Sequence, residues 1–69
     1  MKPKIAVEAV DMVPNDARVR HYDELDYDAK GHFPSVVEHG ERLIDRETAD
    51  QFNDGEFVRY TGYFRVLLA

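Results

Sequence analysis

The sequence has no cysteine, no tryptophan and a single serine among its 69 residues. Without cysteine there are no disulfide staples, no thiolate metal sites and no thiol catalysis. Small secreted domains depend on disulfides, so a cytoplasmic location is the expectation. No apolar run approaches the roughly 18 residues of a membrane span, and the start Met1-Lys2-Pro3-Lys4-Ile5 lacks the apolar core of a signal peptide. Membrane contact is therefore not expected. Basic residues are also scarce, 9 Lys and Arg against 14 Asp and Glu, for a net charge of −5. Direct nucleic-acid binding is not expected either, because phosphate contact needs a basic face. The four glycines, Gly31, Gly40, Gly55 and Gly62, stand apart, so no phosphate-cradling loop is present. Ser35 lacks the G-x-S-x-G surroundings of a hydrolase nucleophile.

What remains is enough to fold. Ile, Leu, Val and Phe make up 18 of the 69 residues, above the roughly 20% below which chains tend to stay disordered. The chain reads as one domain, residues 1–69, close to the lower size limit for a self-sufficient core. A partner or a second copy would add stability.

Lys4 to Val13 reads as a first strand, closed by the turn chemistry of Val13-Pro14-Asn15-Asp16. Ala17 to Tyr22 fits the returning strand of a hairpin; a helix from Asp16 is the weaker alternative. Asp23 to Phe33 reads as a polar loop with a bend at Gly31. Ser35 to Ile44 is divided between a helix, opened by the capping box Ser35-Val36-Val37-Glu38, and a hairpin turning at His39-Gly40. Paired valines and a mid-segment Gly favour the hairpin. Asp45 to Asn53 is the clearest helix, with Asp45 as N-cap, Ala49 and Phe52 as its buried side, and Asp54-Gly55 as its stop. Glu56 to Leu68 alternates so regularly that one long strand bent at Gly62 is preferred to a hairpin on Thr61-Gly62. Together these predict an α+β fold: a small antiparallel sheet of three to five strands with one short helix packed on it.

Two acidic segments carry most of the functional signal. Tyr22, Asp23, Glu24, Asp26, Tyr27 and Asp28 form the first; Asp45, Glu47, Asp50, Asp54 and Glu56 form the second. Nine of the 14 acids lie in these stretches, with only Arg46 opposing them. Their simplest role is to keep a small protein in solution. Their functional role would be to contact a basic partner, with carboxylates accepting bonds from Arg and tyrosines supplying contact area. Asp26 to Gly31 opens like a calcium loop, but Lys30 stands where the third ligand oxygen belongs and Val37 occupies the twelfth position. His21, His32 and His39 have no metal-ligand spacing. No metal, cofactor or catalytic residue is predicted.

The final segment offers a second surface. Phe57, Arg59, Tyr63, Arg65 and Leu67 share one face of a straight strand, a composition typical of protein interfaces. They are the candidates for self-association into a homodimer. Small size, acidity and the absence of cysteine and of catalytic signatures resemble the composition of many phage-encoded accessory proteins. Some of those inhibit host nucleic-acid machinery, CRISPR effectors among them. The resemblance implies an inhibitor that imitates nucleic-acid charge and occupies a basic nucleic-acid-binding surface. The alternative is a structural subunit assembled through its C-terminal strand.

Overall fold

A computed structural model describes residues 2–69. Five strands form one mixed sheet: β1 (Lys4–Val10), β2 (Val19–His21), β3 (Glu41–Leu43), β4 (Phe57–Arg59) and β5 (Tyr63–Leu68), in the order β2-β4-β5-β1-β3. Two helices, α1 (Tyr27–His39) and α2 (Arg46–Ala49), accompany it, with a single 3-10 turn at Tyr22–Glu24. The α+β class and the five strands match expectation. One pairing, β2 with β4, is parallel.

β1 and β5 form the spine, pairing antiparallel from Ile5↔Leu68 to Val10↔Tyr63. Ile5, Val7, Val58, Phe64, Val66 and Leu68 fall on one side of the sheet by this register. They pack with Ala29, Phe33 and Val36 of α1 and with Ala49 and Phe52 at α2 to make the core. Phe33 is its hub. Fully buried, its ring lies about 6 Å from those of Tyr22, Phe52, Tyr60 and Phe64, near enough for edge-on and offset aromatic contacts.

Four sequence expectations are corrected. Residues 17–22 do contain a strand, but β2 does not return beside β1. It lies at the far edge in parallel register with β4, Val19↔Phe57 to His21↔Arg59, and the longer apolar stripe of β5 takes the place beside β1. The position is fixed by Arg20, which donates to the Gln51 carbonyl at 2.8 Å and pairs with Glu56 at 2.8 Å.

The expected loop at 23–33 and hairpin at 35–44 are largely one helix, α1. Its apolar positions Ala29, Phe33 and Val36 straddle the boundary at which the sequence changes character. Pro34 sits inside it, where it can donate no hydrogen bond to the carbonyl four residues back. That carbonyl belongs to Lys30, and the Tyr22 hydroxyl donates to it at 3.0 Å. A side chain from outside the helix thus satisfies the group that the proline leaves open. Gly40 is the cap rather than a mid-helix flaw: at φ +86° it ends α1 with its N–H donating to Val36, and β3 begins at the next residue.

The long strand over 56–68 is two strands joined through residues 60–62. The faces do not mix because the register is Phe57↔Arg65, Val58↔Phe64 and Arg59↔Tyr63. A three-residue connection keeps Val58 and Phe64 on the core side, as a two-residue turn on Thr61-Gly62 would not. The helix over 45–53 is shorter than expected, but Asp45 caps it and Ala49 and Phe52 are buried as anticipated.

Candidate functional site

The predicted acidic surface divides into residues that work inside the fold and residues that do not. Asp45 Oδ1 accepts from the Thr48 N–H at 2.8 Å, the expected N-cap bond. The Thr48 side chain first, then its backbone N–H, holds the Asp45 carboxyl below its ordinary pKa, because hydrogen bonds to the ionised form favour it. Glu24 closes the 3-10 turn by accepting from the His21 N–H at 2.8 Å. Asp54 accepts from the Leu68 N–H at 2.9 Å, fastening the end of β5. Glu56 is nearly buried: one oxygen takes the N–H and side-chain amide of Asn53, and the other lies 2.8 Å from Arg20. Tyr22 is committed as well, its ring tilted against that of Tyr60 with centres 4.7 Å apart and its hydroxyl donating to the Lys30 carbonyl.

Six of the eleven candidates remain free of such roles: Asp23, Asp26, Tyr27, Asp28, Glu47 and Asp50. All are exposed, and among the described residues none of their carboxylates forms a salt bridge. Tyr27, at 90% exposure, is the most exposed aromatic residue. The two acidic segments meet through Gln51. Its Oε1 accepts from the Ala29 N–H at 3.3 Å, which meets one of the open N–H groups of the first turn of α1. Asp28 precedes Ala29 and Asp50 precedes Gln51, so this bond joins the two segments next to an exposed acid of each. Acids near a helix N-terminus are also favoured by its dipole. Sequence reasoning missed Gln51; a polar residue beside a buried Phe52 was the available signal.

The calcium-like stretch Asp26–Gly31 is the N-cap and first turns of α1, so its side chains radiate around a helix rather than converge as a ligand loop would. The five C-terminal candidates do share a face. By register, Phe57, Arg59, Tyr63, Arg65 and Leu67 lie on the side of the sheet opposite the helices. Phe57, Tyr63 and Leu67 are half-buried, while both arginines are exposed. Arg59 lies over the Tyr63 ring at 5.4 Å and donates to its hydroxyl at 3.2 Å.

Among the described residues, two depressions stand out. One, of about 420 Å³, lies along Arg18, Arg20, Asn53, Glu56 and Phe57, so its floor includes the Arg20–Glu56 pair. The other, of about 390 Å³, runs between the first half of α1 and Arg42.

A protein-family model of unknown function, DUF7979, matches residues 2–67. The chain belongs to this family. The match takes in both acidic segments and all of the sheet but the last residue of β5, so the DUF7979 unit is in essence the fold described above. No curated protein and no solved structure matches the chain. No helix among the described residues is long and apolar enough to cross a membrane.

Proposed function

We propose that the protein is a small binding module whose acidic end docks on a basic protein surface. Such a surface is one that a nucleic-acid-binding complex offers to phosphates, so the module would act as an inhibitor. The observation supporting this reading is the Gln51–Ala29 bond, which links the two segments beside the exposed Asp28 and Asp50. Carboxylates without internal partners can accept bidentate bonds from Arg at no cost to the fold. Tyr27 supplies the aromatic anchor that such interfaces favour. A pull-down against a nucleic-acid-binding complex, repeated with Asp23, Asp26, Asp28 and Asp50 changed to Asn, tests it. Binding should fall in the variant and weaken with added salt; undiminished binding would refute the electrostatic reading.

A second reading, a homodimer built through the helix-free face, is favoured by one observation. All five self-association candidates lie on that face, three of them apolar or aromatic. It requires a solution mass above the 8.0 kDa of one chain, lowered by Arg or Glu at Phe57, Tyr63 or Leu67.

A further inference from the structure

We propose that the groove between α1 and β3 binds a small organic oxyanion, a phosphate- or carboxylate-bearing molecule with a flat ring. The groove measures about 390 Å³ and is lined by Tyr27, Asp28, Lys30, Gly31, His32 and Arg42, with Tyr22 at its side. That volume falls in the range of about 300–1,000 Å³ usual for small-molecule sites.

Its charge is the reverse of its surroundings. In a chain of net charge −5, two of the nine strong bases come to this one groove. Neither Lys30 nor Arg42 forms a salt bridge among the described residues, although acids are plentiful. Lys4 and Arg20, by contrast, are both paired at 2.8 Å. Lys30 is held with its ammonium 5.5 Å from the centre of the Tyr22 ring, an arrangement that orients a cation without neutralising it. His32 lines the same groove, and its Nδ1 is buried with no hydrogen-bond partner. Buried polar atoms are normally satisfied by protein, water or ligand. Arg42 offers the planar fork suited to a carboxylate or phosphate, and the Tyr27 ring, free of packing, offers a face for stacking. Asp28 is the one acid in the lining, so two fixed positive charges face one negative.

Gly31 makes the groove testable without disturbing the fold. A Cβ there would meet nothing within 4 Å, so a larger residue can be added from the helix into open space.

The experiment is a titration of the full chain with adenosine monophosphate, benzoate and inorganic phosphate, followed by backbone amide shifts. Saturable shifts at Gly31, His32 and Arg42 with either ring-bearing anion support the site, with phosphate alone at least about tenfold weaker, the equivalent of one good contact. The Lys30→Gln/Arg42→Gln variant should bind at least about tenfold more weakly, and Gly31→Leu should abolish the shifts while leaving the circular dichroism spectrum unchanged. Absence of saturation with all three anions would overturn the proposal. So would equal binding by the double variant. The titration does not involve the basic partner, so its failure would leave the acidic-end reading standing, and the converse holds.

Discussion

The helical side of the molecule and the opposite face of its sheet are made from the same strands, yet different forces organise them. On the helical side, five of the eight aromatic rings converge on or around Phe33. On the opposite face, Phe57, Tyr63 and Leu67 are only half-buried and alternate with exposed arginines. The first arrangement holds the fold; the second leaves apolar area still available to a partner. The acids of the two segments divide as well, some engaged in caps and strand ends, others free near the start of α1 and along α2.

The largest effect that sharpens this contrast is expected at Phe33. Phe33→Ala removes the hub of the cluster and should cost about 3–5 kcal/mol, enough to unfold most of a small domain. Phe57→Ala should cost about 1 kcal/mol, the share of a half-buried ring. Urea denaturation of the two variants measures the difference, and equal losses would break the comparison.

A smaller effect isolates the link between Tyr22 and Pro34. Tyr22→Phe deprives the Lys30 carbonyl of its donor and should cost about 1 kcal/mol. In a Pro34→Ala background, the backbone N–H restored at position 34 can serve that carbonyl, so the same change should cost much less. A double-mutant cycle reads this coupling.

Gly31→Ala should stabilise the protein by about 0.5–1 kcal/mol, since Gly31 lies within α1 and the added methyl meets nothing. A rise in denaturation midpoint checks it. The smallest effect separates the two kinds of acid. Asp45 titrates below its ordinary 3.8 in the folded protein. Its contribution is therefore complete above that ordinary value and is lost as pH falls through the lower folded one. Asp45→Ala should reduce stability at neutral pH and less in acid, whereas Asp23→Asn should change it little at either.

The sheet was legible in sequence where a local signal decided the outcome; regular alternation alone did not suffice, since 56–68 reads as one strand and forms two. β1, expected to reach Val13 but ending at Val10, and α2, with its Asp45 cap, could be read in kind though not in length. α1 could not, because its evidence is long-range. Pro34 argues locally against a helix, and only the Tyr22 hydroxyl, twelve residues earlier in the sequence, removes the objection. The parallel edge pairing of β2 depends likewise on Arg20 reaching Gln51 and Glu56. Of the candidate sites, the grouping of the C-terminal five followed from strand periodicity alone. Which acids are internally bonded did not, since Asp54 and Glu56 look the same in sequence as Asp26 and Asp28.

The most direct test of the acidic-end account is the affinity of the protein for a Lys- and Arg-rich peptide at increasing salt. Two variants are compared, one with Asp23, Asp26, Asp28 and Asp50 changed to Asn, the other with Phe57, Tyr63 and Leu67 changed to Ser. The account predicts that the first loses most of its affinity and its salt dependence while the second binds as the parent does. Full binding by the first variant, or loss confined to the second, would contradict it.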